Sequence, residues 1–236
     1  MSDLPDLPDL IVPSRFCGPP SSGNGGWSAG SMAPHAGADR PHDHTGPWPA
    51  ITVSLLAPPP LEVAMTVTPD DDGVVAAYDG RPVLSARCVG HAVADVEPVA
   101  PEEARAAEAS YAGLTSHPFP TCFSSAGTWT PDPTIAEDFH AYADPHPRAS
   151  LPVTWAALDC VGGWAGDLEE RLMVLARMTA RLDSLPAIGE EHVLVGMGRG
   201  RDGRKTWTSS TLYDAGGRVV ASAEHLWIAV DPAVFA

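Results

Sequence analysis

A single carboxylate stands in an otherwise apolar stretch, Ser150-Leu-Pro-Val-Thr-Trp-Ala-Ala-Leu-Asp159-Cys-Val-Gly162-Gly163. Ser150 suits an N-cap and Pro152 the first helical turn, so the stretch predicts one short buried helix over 151–161 that Gly162-Gly163 end. An Asp in the last turn of such a helix meets the negative end of the dipole and a low-dielectric surround. Both raise its pKa, which makes Asp159 the candidate general base. The alternative is an Asp that only hydrogen-bonds a neighbouring strand. His225, on the last predicted strand, is the candidate partner in holding water or exchanging protons, against the alternative of packing beside Trp227. Asn24, Gly25, Gly26 and Trp27 open another predicted helix, whose first N–H groups lack internal partners and would face an oxyanion. Close packing of the helix against the sheet is the competing reason for the two glycines. Arg199, Arg201, Arg204 and Lys205 place four of the chain's 14 basic side chains in one predicted hairpin, a candidate contact for a phosphate group of a ligand. A charged edge that only keeps the hairpin soluble is the alternative. His35, His42, Asp43 and His44 lie among Pro and Gly, a weak metal pattern read as solvated loop. Neither a metal nor a cofactor is expected.

These groups must be positioned by a chain of 236 residues with 44% hydrophobic content, enough for one large core or two smaller ones. A net charge of −16 opposes nucleic acid and anionic membrane as main partners. No apolar run approaches a membrane span, and Met1 to Leu10 is acidic and Pro-rich, so a cytoplasmic protein is expected. Cys17, Cys88, Cys122 and Cys160 show no CxxC spacing and are expected to be reduced and mostly buried.

The first 10 residues read as a loose arm, Ile11–Phe16 as a short strand, and Gly25–Ala33 as a helix stopped by Pro34. Alternation over Ile51–Leu55, Met65–Val67, Val74–Tyr78 and Val83–Val89, with a turn at Asp79-Gly80, predicts an antiparallel meander. Pro98–Tyr111 reads as a linker helix and Thr115–Pro133 as a loop. A strand at Thr134–Tyr142 then precedes the central helix. Leu172–Leu182 alternates as a strand, with Leu172, Val174, Ala176, Met178, Ala180 and Leu182 on one face. His192–Gly198, Lys205–Tyr213 and Val219–Val230 complete a second meander, with the hairpin turn at 201–204.

The two halves therefore match in order, and Trp27-Ser-Ala-Gly-Ser parallels Trp155-Ala-Ala-Leu-Asp159, as Tyr78-Asp-Gly parallels Tyr213-Asp-Ala-Gly-Gly. The boundaries are 1–97 for the first repeat, 98–133 for the linker and 134–236 for the second. A helix wrapped by its own antiparallel sheet, twice in tandem, is an α+β double hotdog. The chain resembles the acyl-CoA thioesterase II family and its thioesterase-like relatives over roughly 11–231, through Ser22-Gly-Asn-Gly-Gly-Trp-Ser-Ala-Gly30, Leu158-Asp159 and Gly217-Arg-Val-Val-Ala-Ser-Ala-Glu-His225. That resemblance implies an Asp/Thr-or-Ser/Gln group that positions the attacking water. Asp159 falls on its acid, Thr179 is the one available hydroxyl, and His225 stands where the family has Gln.

Three readings follow. The first is hydrolysis of an acyl thioester, on coenzyme A or an acyl-carrier protein, by water activated on Asp159. The second is a non-hydrolytic dehydratase, isomerase or cyclase using Asp159 and His225 as acid and base. The third is a non-catalytic module for an acyl group or another small hydrophobic molecule. Pairing of copies through the hotdog sheet edges is a further expectation.

Overall fold

The architecture was taken from a computed structural model, which describes residues 7–37, 47–108, 110, 118–119, 122, 128–129, 148–168 and 170–231. In chain order the elements are β1 (Leu10–Ile11), a single 3-10 turn (Ser14–Phe16), α1 (Gly25–Ala36), β2 (Trp48–Leu55), β3 (Ala64–Asp70), β4 (Gly73–Tyr78) and β5 (Arg81–Cys88). They continue with α2 (Pro101–Glu108), β6 (Thr128–Trp129), α3 (Leu151–Trp164), β7 (Met173–Leu182), β8 (His192–Asp202), β9 (Lys205–Tyr213) and β10 (Val219–Ala229). The strands form one antiparallel sheet in the order β1-β3-β4-β5-β2-β7-β10-β9-β8-β6. Read from either edge inward, the order is the same for each half, and the halves join where β2 pairs with β7. Two helices, one wrapped by each half of the sheet, make the double hotdog.

The helices form for the reasons the sequence gives at their starts and end later than it suggests. Ser150 Oγ accepts the Val153 N–H at 3.4 Å, and Asn24 Oδ1 accepts the Trp27 N–H at 2.8 Å. Gly162-Gly163 do not stop α3, which runs on to Trp164. A Cβ on Gly162 would lie 2.7 Å from the His225 ring, and one on Gly163 3.2 Å from Trp227. Those glycines are a groove for β10 side chains, and packing outweighs their poor helix propensity. Pro34 likewise fails to stop α1, which reaches Ala36; its missing N–H forfeits one bond, to Gly30, in the last turn.

The helices meet through small residues. Beta carbons on Gly26 and Gly30 would come within 2.8 Å of Ala156 Cα and 2.7 Å of Pro152 Cα, respectively. These two contacts exchange under the pseudo-two-fold when the caps Asn24 and Ser150 are made equivalent. The repeat register is thus set by caps and close approaches, and the sequence match of Trp27 to Trp155 is two residues out.

The sheet also departs from the simple alternation. β7 is a strand as expected, but Leu226 pairs with Arg177 and Trp227 with Leu175, so Ala176 is an extra residue in a bulge. The inward face therefore switches from Met173 and Leu175 to Met178, Ala180 and Leu182, all buried. Asp79 and Gly80 have φ of 48° and 71°, the pair of positive values that a tight two-residue hairpin requires. Of the expected strand 11–16, Ile11 pairs within β1 and Val12 makes a single parallel bridge to Leu61, and the ladder goes no further because Pro13 has no N–H to give. The segment after β5 crosses to the second half, where the Val96 N–H donates to Thr211 Oγ1 at 2.8 Å and the Tyr213 hydroxyl donates to the Val96 carbonyl. The expected strand at 134–142 and residues 42–44 of the His-rich loop lie outside the described residues; His35 is buried on α1.

Candidate active site

Asp159 sits on α3, 3% exposed, at the crossing with α1. Its Oδ2 accepts the Gly26 N–H at 2.8 Å, while Oδ1 is buried with no partner among the described residues. Burial pushes the carboxyl up to about 8, against the lowering by the Gly26 N–H and with a further upward push from Cys122. The raised pKa expected from the sequence is found, although the first cause is desolvation. At neutral pH most of this carboxyl holds its proton.

The acid borders a cavity of about 320 Å³. Its walls come from Gly23, Asn24 and Gly25 at the head of α1, from the loop Ala57-Pro58-Pro59, and from Cys160, Trp164 and Leu168 on and after α3. Leu175 of β7 and Trp227, Ile228 and Val230 of the β10 end complete an almost wholly apolar lining. Such a slot accepts a hydrocarbon chain and excludes water from the acid. The helix-start N–H groups are not all spare. Gly26 serves Asp159, Trp27 serves the Asn24 cap, and the Ser28 N–H donates to the Asn24 carbonyl at 3.0 Å. That leaves the Gly25 N–H, with no acceptor among the described residues, on the cavity wall. A Cβ on Gly25 would fall 2.9 Å from Leu175 and 3.5 Å from Asp159 Oδ2, so this amide lies beside the acid.

The remaining predicted residues are distributed differently. Asn24 lines the cavity, and its Nδ2 donates to Cys122 Sγ at 3.6 Å. Trp27 is not on the cavity wall but stacks on Phe16, centroids 4.5 Å apart. His225 is 2% exposed and does not line this cavity; its Nδ1 lies 3.2 Å from Thr208 Oγ1, which also accepts the Trp227 Nε1–H at 2.9 Å. Burial pushes the imidazole down to about 4, so it is neutral at pH 7. Among the described residues no hydrogen bond or ion pair joins it to Asp159.

Thr179 pairs across the strands with Thr52 and Glu224, the row next to Met178 and His225, and therefore faces the other side of the sheet. Its hydroxyl lies 2.7 Å from that of Thr52, on a separate groove with Arg87 and Arg177. The structure therefore does not bring Thr179 to the cavity that Asp159 borders, since the bulge at Ala176 shifts the face parity just before it; the groove that Thr179 lines also includes His225. The basic hairpin stands beside the cavity rim and not in it. Arg201 pairs with Asp167 at 2.8 Å, Arg204 Nε donates to the Ala229 carbonyl at 3.0 Å, and Arg199 Nε donates to Ser209 Oγ at 2.9 Å, leaving Lys205 exposed. Asp167 and Ala229 adjoin the rim residues Leu168, Ile228 and Val230. Arg171, which donates to the Gly203 carbonyl at 2.7 Å, belongs to the same cluster and carries no sequence signal of its own.

The cysteines depart from expectation. Cys160 is buried, Cys17 and Cys122 are half-buried, and Cys88 is exposed. Cys122 and Cys160 both reach the cavity beside Asp159, a meeting that their spacing of 38 residues does not announce.

Solved structures share this architecture. A Thermobifida fusca protein assigned as a thioesterase II superposes with a TM-score of 0.58 at 16% identity, covering 89% of this chain and 88% of that one. The tesB protein of Mycobacterium avium subspecies paratuberculosis gives 0.54 at 13%, covering 88% and 87%. A conserved hotdog-fold protein of unknown function from Alicyclobacillus acidocaldarius gives 0.54 at 16%, covering 95% and 93%. The chain thus shares the hotdog fold of these structures. No family model and no curated protein matches its sequence.

Proposed function

We propose that the protein hydrolyses an acyl thioester whose acyl chain occupies the apolar cavity. The observation that carries this reading is the unpartnered Asp159 Oδ1 on the wall of that cavity, beside the Gly25 N–H. In its ionised form the carboxylate takes a proton from water as the water attacks the thioester carbonyl, and the Gly25 amide donates to the developing oxyanion. Desolvation makes the carboxylate a stronger base than a surface Asp. The thiolate leaves with a proton, for which the newly protonated Asp159 is the source. Thioesterase-like neighbours support the same reaction class. The division at 1–97, 98–133 and 134–236 then puts the amide in the first repeat and the acid in the second.

A second reading draws on the same carboxyl: protonated at neutral pH, Asp159 could polarise a carbonyl by donating to it, as a non-hydrolytic enzyme requires. His225 has no place in that reading as its partner, since no bond links the two.

Thiol capture across acyl-coenzyme A and acyl-pantetheine substrates of increasing chain length distinguishes them. Hydrolysis releases thiol in proportion to enzyme, fastest for chains that fill the cavity. An absence of thiol release from every coenzyme A and carrier thioester would reject it. If the hairpin contacts nucleotide phosphates, Arg201→Ala with Arg204→Ala raises KM for the coenzyme A substrate by about tenfold and leaves the pantetheine one unchanged.

A further inference from the structure

We propose that Cys122 and Cys160 form an oxidisable dithiol in the cavity wall, which a hydroperoxide converts to a disulfide. Their sulfurs stand 3.6 Å apart, so closure to a bond of about 2.0 Å needs only a small side-chain movement. Both residues line the cavity, and Cys122 is half-buried, so a small apolar oxidant has a path to it. The Asn24 amide is aimed at Cys122: its Oδ1 is committed to the Trp27 N–H, which turns Nδ2 toward Sγ at 3.6 Å. A donor on sulfur favours the thiolate, the form that attacks. The apolar lining selects an organic hydroperoxide over a charged oxidant.

The chemistry balances in two steps. The Cys122 thiolate attacks the outer peroxide oxygen, the O–O bond breaks, and the alcohol leaves with the proton that Cys122 lost, giving a sulfenic acid. Cys160 sulfur then attacks the sulfenyl sulfur; the S–S bond forms, the S–O bond breaks, and hydroxide leaves as water with the Cys160 proton. Two thiols and one hydroperoxide yield a disulfide, an alcohol and water. The bond would tether the residue-122 segment to α3 next to Asp159.

The test uses the full reduced chain with one equivalent of cumene hydroperoxide. Intact mass should fall by two hydrogens, titratable thiols from four to two, and a non-reducing digest should hold a peptide joining Cys122 to Cys160. Added dithiothreitol should reverse all three. Cys160→Ser should instead leave a dimedone-reactive sulfenic acid on Cys122, and Cys88→Ser should behave as wild type. A digest joining other cysteines, a wild-type Cys122 oxidised without the cross-link, or four thiols surviving the peroxide would overturn the proposal. None of these readouts depends on thioester turnover, so the hydrolase reading can fail while this one stands.

Discussion

Nine residues after its cap, α1 carries Ala33 and α3 carries Asp159. Two residues after its cap, α1 carries Gly26 where α3 has Pro152. The repeats share one topology, yet each has lost what the other keeps. The first supplies backbone donors at a helix start bare of side chains, and the second supplies the acid. Proline in the second repeat cannot donate, and alanine in the first cannot titrate, so the pairing of a helix-start amide with a buried acid is made once, by Gly26 and Asp159, at the crossing of the two helices. The same crossing explains the cavity. Gly25 and Gly26 let α3 approach closely enough for a hydrogen bond to Asp159 Oδ2, and that approach strips water from the carboxyl. A symmetric ancestor with either residue on both helices would have placed two acids or none against the opposite amide.

The sharpest way to break this division of labour is Asp159→Asn. The amide keeps the shape and can accept the Gly26 N–H, but it is not a base, so kcat should fall by about 10²–10⁴-fold. Wild-type kcat/KM should rise with pH and level off above about 8, as the carboxyl ionises. The stability signature runs in the opposite sense. Because the folded pKa stands above the unfolded 3.8, both states are protonated in strong acid, while between 3.8 and about 8 only the folded state holds the proton. Unfolding then releases a proton, and stability declines as pH rises, by an amount on the order of several kcal/mol at full ionisation. Asn removes that decline. Thermal denaturation at pH 5 and pH 9 should show the variant gaining on the wild type at the higher pH; a parallel shift at both would mean that Asp159 is ionised when folded.

A smaller loss should follow Gly26→Ala, which tests the other helix. The added methyl would lie 2.4 Å from Asp159 Cβ and 2.8 Å from the Trp155 carbonyl oxygen, contacts that backbone cannot yield cheaply. Overpacking of this kind costs about 1–3 kcal/mol, visible as a lowered midpoint in urea. Gly80→Ala makes the control, with open space around it and a positive φ as its only penalty. Equal midpoints for the Gly26 variant and the wild type would show that the helices can part, and that the Gly26 donor is not held by packing.

Much of this division was legible in the sequence. Meanders, the cap of α3 and the apolar helix around Asp159 are local patterns, carried by period, by Ser150, and by the absence of any other charge in 150–163. Glycines were misread at 162–163, because a helix-ending signal and a groove for an opposing ring use the same residue, and only the position of β10 tells them apart. Thr179 lies away from the Asp159 cavity for a related reason. One extra residue at Ala176 inverts every face after it, and a bulge leaves no mark on composition. The sequence offers the Gly25 amide only as one of several helix-start donors; which of them stays spare, and the meeting of the cysteine pair, could not be read there, since each is defined by what a distant segment leaves unpaired or brings near.

The least disruptive substitution, His225→Gln, separates Asp159 from a second buried titratable group of the same repeat. Asp159 opens on the cavity; His225 is enclosed by Gly162, Thr208 and Trp227. Its folded pKa of about 4 lies below the ordinary 6.5, so its neutral form is favoured by folding. That contribution is whole above pH 6.5 and is lost as pH falls toward 4, because the unfolded chain takes up the proton first. Glutamine is close to histidine in size, its amide can still meet Thr208, and it does not titrate in this range. The variant should therefore match the wild type in turnover at pH 7–8 and outlast it between pH 6.5 and 4, where the wild type alone bears the protonation penalty. These acid-side losses run opposite to the effect of Asp159, whose penalty eases in the same window, so in the wild type the two offset each other between pH 6.5 and 4, and His225→Gln uncovers the slope of Asp159. A His225→Gln enzyme whose turnover falls as far as that of Asp159→Asn would join the two groups in one proton path, and the contrast between an open acid and an enclosed imidazole would be wrong.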